Sequence, residues 1–177
     1  MNRKTFRIIA LLSLLGARTI FAADAEKSKT SKVTVIFDHP ENYADVKDAF
    51  MPTDKGREAI LDDIKQFVET RAASLLRAGQ SLEMKFTEID LAGEFEPQLG
   101  PNFGDVRIMK EIYAPRFDFE FRLTGAGGKV LSEGKRKLRD PFYLHRLLLS
   151  NNEPRCYEKD ILNDWLRSDI KSKVAAD

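Results

Sequence analysis

Strict alternation of apolar and charged residues gives the clearest structural signal in the chain. In the segment RFDFEFRL every second residue from Phe117 to Leu123 is apolar, and the residues between them are charged. Because successive side chains of a strand point to opposite faces, this pattern predicts a strand with one buried and one open face. A similar alternation predicts a first strand from Val33 to Phe37, ended by the proline at position 40.

The segment that begins at Leu82 alternates in the same way but changes parity before Ile89. A single extra residue in a strand reverses the faces of all later side chains, so a β-bulge is expected near Thr87 or Glu88. A weaker alternation in DVRIMKEIY favours a further short strand.

The glycine-rich stretch GAGG follows the aromatic strand and predicts a hairpin that returns through KVLSEGKRKLR. Pairing Gly125 with Gly128 puts Phe119 opposite Gly134, and it puts Asp118 and Arg116 opposite Lys135 and Lys137. The same register sets Glu120 opposite Glu133, which is a local electrostatic cost.

Helical spacing dominates the region after Pro52-Thr53-Asp54. Apolar residues recur there at intervals of three and four, from Ile60 to Leu76, and Gly79 stands where a left-handed C-terminal cap belongs. Near the C-terminus, Asp140-Pro141 and Glu153-Pro154 each predict the start of a shorter helix.

The order of these elements predicts an α+β fold. We expect a single, mainly antiparallel sheet whose aromatic face packs against one long helix, with two C-terminal helices. The domain is predicted to span residues 33–172, after a polar, flexible lead-in at residues 26–32.

The N-terminus has the features of an export signal. Basic residues precede the apolar run IIALLSLLGA, which is too short to span a membrane, and small residues suited to cleavage follow at positions 22–25. Residues 1–25 are therefore predicted to be a signal peptide. The mature chain is expected to be periplasmic or secreted, with no membrane span.

Charge and cysteine content narrow the function classes. The 29 basic and 28 acidic residues nearly cancel, which argues against a dedicated nucleic-acid binder. The single cysteine, Cys156, excludes a disulfide within the chain, so it is expected to be buried or to pair with another chain.

The segment DLAGEFEPQLGPNFGD, at residues 90–105, is less regular than its surroundings. It is longer than a connection requires, and its spaced apolar residues predict a loop packed by its own side chains. Its carboxylates are candidate ligands for a cation or counter-charges for nearby basic residues. The candidate binding surface comprises Asp90, Glu94, Glu96, Arg107, Lys110 and Arg116.

Motifs for established chemistry are few. His39 and His145 lack the neighbouring ligands of a metal site, and no nucleotide-binding glycine pattern occurs, so neither a metal nor a cofactor is predicted. The basic run from Lys135 to Arg139 could meet an anionic partner, but lysines on an edge strand also prevent unwanted strand pairing.

Several separated motifs resemble one known family. EIDLAGEFEP, the GP and DVRI that follow, IYAPR, the FEFRLT and GKVLSEGKRKLRD hairpin and YEKDILNDWL occur in the order found in a family of secreted bacterial proteins catalogued as domain of unknown function 3016. The resemblance implies an exported domain and carries no activity, ligand or catalytic residue.

Two functional hypotheses follow. The first is a periplasmic binding or adaptor module that meets an envelope protein or a small ligand through residues 90–116 and the neighbouring basic strand. The second is a small-molecule hydrolase that uses Asp90, Glu94 or Glu96 with Arg107 or Arg116.

Overall fold

A mixed four-stranded sheet forms the centre of the protein. The computed structural model describes residues 32–100, 103–148 and 152–175. The sheet has the order β1-β2-β5-β6, in which β1 (Lys32–Phe37) is parallel to β2 (Ser81–Asp90), while β5 (Arg116–Thr124) is antiparallel to both β2 and β6 (Val130–Arg139). The predicted signal peptide and most of the lead-in lie outside the described residues.

The predicted bulge in β2 is confirmed. The register between β2 and β5 shifts between Phe86 and Glu88, so that Phe86 pairs with Phe119 and Ile89 pairs with Phe117. This one extra residue returns Ile89 to the core face, where it is fully buried. The β5 aromatics lie on the same face, as the alternation predicts.

The predicted register of the β5–β6 hairpin is wrong by two residues. Gly134 pairs with Phe121 instead of Phe119, and Lys135 pairs with Glu120 instead of Asp118. The N–H of Gly125 donates to the carbonyl of Lys129, which makes the loop one residue longer than predicted, and a bulge before Thr124 adds another. A shift of two preserves the faces and replaces the costly Glu120–Glu133 pair with oppositely charged pairs.

The long helix α1 spans Asp54–Ala73, and its start agrees with the sequence pattern. The Thr53 side chain accepts a 2.9 Å hydrogen bond from the N–H of Gly56, which caps the first turn. The helix ends earlier than its apolar spacing predicts. Gly79 does adopt a left-handed conformation, with φ 81°, but it lies in the turn that leads into β2.

The C-terminal region differs from the predicted pair of helices. In place of the first predicted helix, the described residues 140–148 contain a 3-10 turn at Tyr143–His145, because the buried Tyr143 ring and the ion pairs of Arg146 with Asp140 and Asp160 hold this segment in place. The second predicted helix is longer than expected. It joins α2 (Cys156–Trp165), a π-helical stretch (Leu166–Ile170) and α3 (Lys171–Ala175) into one continuous helix, hereafter the C-terminal helix.

Two helices, rather than one, cover the aromatic face of the sheet. Helix α1 packs beside β1, and the C-terminal helix packs towards β6. Trp165 meets Phe119 and Phe121 edge-on, with ring centroids 4.7 and 5.2 Å apart. The α+β class and the mainly antiparallel sheet are confirmed, whereas the single covering helix is not.

A second, two-stranded sheet lies in the segment between β2 and β5. It pairs β3 (Glu94–Phe95) with β4 (Arg107–Ile108) in antiparallel register. The sequence predicts a single sheet. This prediction is wrong, because β3 and β4 form a second one. No helix in the described parts of the chain is both long enough and apolar enough to cross a membrane.

Candidate functional site

Residues 91–100 and 103–115, hereafter the excursion, fold as a compact unit attached to the end of the main sheet. The N–H of Gly93 donates to the carbonyl of Tyr113, which closes the base of the excursion. Gly93 has φ +78°, and a Cβ there would come within 2.7 Å of the Met109 sulfur and 2.9 Å of the Ile108 carbonyl. Only glycine fits this close approach without strain.

Arg107 ties the excursion to the segment before α1. Its guanidinium pairs with the buried carboxylate of Asp45 and donates to the carbonyls of Gly93 at 2.8 Å and Lys47 at 3.0 Å. It also lies over the Phe95 ring, 4.6 Å from the centroid. Arg107 thus has a structural role, because it holds the excursion against Asp45. Asp45 is not one of the six residues of the predicted binding surface.

Glu96 and Lys110 form a second, separate cluster. The Glu96 carboxylate is buried and accepts from the Lys110 Nζ at 2.6 Å and from the Tyr113 hydroxyl at 2.5 Å. The hydrogen bond from Lys110, followed by that from Tyr113, lowers the pKa of Glu96. This cluster fastens the residue after β3 to the turn that leads into β5.

Asp90, Glu94 and Arg116 line a third location, a small pocket of about 160 Å³. Arg116 lies 3.9 Å from Asp90, while Glu94 accepts from the N–H of Phe95. Burial raises the pKa of Asp90, and the nearby Arg116 only partly opposes that effect. Pockets for small ligands usually enclose about 300–1,000 Å³, so this one is smaller than a typical ligand site.

The six predicted residues therefore do not converge on one centre. The structure distributes them over three places, where most of them pair with each other or with Asp45. Their role as a binding surface stays a prediction.

A larger cleft lies between the excursion and the first turn of the C-terminal helix. Its volume is about 610 Å³, within the range of small-ligand sites. Leu91, Phe95 and Met109 line it from the excursion, and Tyr157 and Glu158 line it from the helix. We call it the Glu158 cleft.

Glu158 is the most unusual group in this cleft. Its side chain is buried, with 2 % of the residue exposed, and its Oε1 accepts a 2.7 Å hydrogen bond from the N–H of Ala92. Its Oε2 has no hydrogen-bond partner within the described residues. Burial raises the pKa of Glu158, although the Ala92 N–H and the charges of Arg107 and Arg155 oppose the shift.

The sequence contains a signal for Glu158 that the pattern analysis missed. On the C-terminal helix, Glu158 falls at the spacing of the buried residues Ile161, Leu162 and Trp165. A carboxylate on the apolar face of a helix requires a partner or a function. By contrast, no sequence pattern relates Asp45 to Arg107, 62 residues later.

The cysteine and histidine side chains noted in the sequence lie in ordinary protein environments. Cys156 is partly buried and lines the Glu158 cleft, and burial raises the pKa of its thiol, which disfavours a reactive thiolate. His145 pairs with Glu111 on the surface. Among the residues that the structure describes, no group of three or more His, Cys, Asp and Glu side chains is arranged to hold a metal ion.

The basic strand β6 divides its charges between the two faces of the sheet. Lys135 and Lys137 pair with Glu120 and Asp118 on the open face. Arg136 lies on the other face, against Asp169 and the Phe121 ring. These acidic partners favour a solvated, locally balanced strand over a surface for a large anionic partner.

Comparison with known proteins gives one match. The sequence model of the family described as "Protein of unknown function (DUF3016)" matches residues 31–168. Neither the curated proteins nor the solved structures include a significant match. The matched range takes in the four-stranded sheet, the excursion and the Glu158 cleft, and the chain belongs to the DUF3016 family.

Proposed function

We propose that this protein is an exported binding module that takes a small ligand in the Glu158 cleft. The observation that carries the proposal is the buried Oε2 of Glu158, which has no hydrogen-bond partner among the described residues and belongs to a cleft of about 610 Å³. Buried polar atoms are nearly always paired, and a ligand group would supply the missing partner.

The lining of the cleft suits a small molecule. Leu91, Phe95 and Tyr157 offer apolar surface, and Arg107 and Arg155 add charged groups. Ligand sites commonly combine such an apolar lining with a few polar groups that fix orientation. The cleft is also supported on both sides, because Ala92 and Glu158 join the excursion to the helix through their hydrogen bond.

Export is part of the same proposal. It rests on the sequence of residues 1–25, in which a basic start, a short apolar run and small residues suited to cleavage follow in order. N-terminal sequencing of protein recovered from the envelope fraction tests it. A mature chain that starts near residues 23–26 supports export, and an intact N-terminus in the cytoplasmic fraction contradicts it.

Binding is favoured over hydrolysis at the sequence-predicted carboxylates. Glu96 is engaged by Lys110 and Tyr113, and Asp90 and Glu94 share a pocket of about 160 Å³. An acid–base pair needs access to the bond that it cleaves. The larger Glu158 cleft offers that space away from these carboxylates.

A fragment screen by ligand-observed NMR tests the proposed function, with two variants of Cys156 as matched probes. Cys156 lines the cleft, so Cys156→Phe fills space that Cys156→Ala leaves open. We expect fragments that bind the wild type and Cys156→Ala but not Cys156→Phe. Binding that is equal in all three proteins, or no binding, would overturn the proposal, and turnover of a bound fragment would favour an enzyme.

A further inference from the structure

We propose that the ligand group that meets Glu158 is an anion, namely a carboxylate carried on an apolar body. The inference rests on the proposed function, because it assigns a chemistry to the ligand of the same cleft. It depends on three features, which are the hydrogen-bonding state of Glu158, the charges of the inner wall and the first turn of the C-terminal helix.

The first feature is that the two carboxyl oxygens of Glu158 differ in their hydrogen bonding. Oε1 accepts from the N–H of Ala92, while Oε2 is buried without a hydrogen-bond partner among the described residues, in a side chain that lines the cleft. Burial raises the pKa of this carboxyl, so it keeps its proton to a higher pH than an exposed glutamate does, and while it is protonated Oε2–H acts as a donor. A donor at this position requires an acceptor from the ligand.

The second feature is the placement of charge around the cleft. The basic residues Lys47, Arg107 and Arg155 are partly buried, whereas the acidic residues of the lining, other than Glu158, are exposed: Asp48, Asp105 and Glu153. Water and salt screen exposed charges more effectively than buried ones. Lys47 and Arg107 are already paired with the buried Asp45, but Arg155 engages Asp63 through its Nε, so its terminal N–H groups can donate to a ligand anion. The inner wall can therefore hold an anion at Arg155.

The third feature is the start of the C-terminal helix. Residues from Arg155 to Glu158, which are the N-cap and the first turn of α2, all line the cleft. The N–H groups of a first helical turn lack carbonyl partners in their own helix, and the helix dipole adds positive potential there. Both effects favour a bound anion and disfavour an ammonium group.

The rest of the lining indicates what carries the anion. Leu91, Phe95, Met109 and Tyr157 surround the cleft with apolar and aromatic surface. A ring or a short alkyl chain would bury against these side chains while its carboxylate meets Glu158 and Arg155. Benzoate is the smallest probe that combines both parts.

Calorimetric titration with benzoate, benzamide and benzylamine tests the inference, because the three probes share one ring and differ in the charge of the head group. We expect benzoate to bind at least about tenfold more tightly than benzamide, as one charge-assisted hydrogen bond would give, and benzylamine not to bind. Above the pKa of benzoate itself, its affinity should fall as pH rises through the pKa of Glu158.

Two pairs of variants sharpen the test. Glu158→Gln keeps an acceptor for Ala92 and offers an N–H donor to the ligand, so it should bind benzoate without that pH dependence. Arg155 and Lys159 both pair with Asp63, but only Arg155 lines the cleft. Arg155→Gln should therefore weaken benzoate about tenfold or more, while Lys159→Gln should leave its affinity unchanged.

Preferential binding of benzylamine, or a pH dependence that persists in Glu158→Gln, would overturn the anion inference. If none of the three probes binds although the fragment screen yields other ligands of the cleft, the inference fails and the proposed function stands. If neither the probes nor the screen gives a cleft ligand, both fail.

Discussion

The backbone N–H of Ala92 donates a 2.7 Å hydrogen bond to the Oε1 of Glu158, a residue 66 positions later in the chain. This bond fastens the start of the excursion to the first turn of the C-terminal helix. A glutamate at the third position of a helix often accepts a hydrogen bond from the N–H of its own N-cap residue. Glu158 has this position but accepts from Ala92 instead. This contact therefore joins two walls of the Glu158 cleft.

Glu158→Ala should destabilise the protein by about 1–3 kcal/mol, because it leaves the buried N–H of Ala92 without its partner. Glu158→Gln should cost much less, because its amide oxygen can accept the same bond. Urea unfolding of the two variants beside the wild type measures both values. Equal losses in the two variants would show that this hydrogen bond contributes little.

The stability of the wild type relative to Glu158→Gln should depend on pH. The pKa of Glu158 is raised above its ordinary value of 4.5, so the folded protein holds this proton more tightly than the unfolded chain does. The resulting stabilisation is full below about pH 4.5 and is lost as pH rises through the folded-state pKa. Unfolding of both proteins across this range should show wild-type stability falling against the variant. A constant difference would contradict the raised pKa.

Glu96→Gln should lower the melting temperature at neutral pH. The Lys110 and Tyr113 side chains lower the pKa of Glu96, so its contribution is present above the ordinary pKa and disappears as pH falls through the lowered value. Thermal unfolding should therefore show two proteins that differ at pH 7 and converge in acid. A gap that widens in acid would contradict this assignment.

Three glycine-to-alanine substitutions should have graded effects. Gly127 has open space around it and ordinary φ, Gly128 has φ +82° with open space, and Gly93 has φ +78° with atoms within 3 Å of the place that an alanine methyl group would occupy. We expect little change for Gly127→Ala, about 1 kcal/mol for Gly128→Ala and a larger loss for Gly93→Ala. Chemical denaturation ranks them, and a tolerated Gly93→Ala would show that the base of the excursion is not tightly packed.

Asp45 and Arg107 should behave as a strongly coupled pair. Arg107→Met alone should cost about 3–5 kcal/mol, because it takes the arginine away from the buried Asp45 carboxylate. Asp45→Asn should cost less, because the partly buried Arg107 keeps its hydrogen bonds to the carbonyls of Gly93 and Lys47. The double variant should cost clearly less than both single losses together. Arg122 and Glu133, an exposed pair at 3.0 Å, provide the control, with a coupling of less than about 1 kcal/mol.

The sequence predicts the local elements better than the contacts between them. The alternation around Phe119, the bulge before Glu88 and the start of the long helix after Thr53 are all confirmed, because each depends on neighbouring residues. The hairpin register is wrong because the loop and bulge together add two residues that composition does not reveal.

The candidate site shows the same limit more strongly. The excursion is ordered by contacts such as Arg107 with Asp45, which join distant parts of the chain. The six residues chosen from sequence lie near one another in the chain, but their partners divide them among three clusters. Glu158 carried a local signal, as a carboxylate on a buried helix face, but its partner Ala92 becomes known only from the fold.

The most direct test is the carboxyl ¹³C resonance of Glu158, assigned by its absence from Glu158→Gln and followed by NMR as a function of pH. We predict that it titrates above the ordinary value of 4.5 in the free protein, and that saturation with benzoate moves its pKa further upward. A midpoint at or below 4.5, or a downward movement when benzoate binds, would contradict Glu158 as the buried donor for an anionic ligand.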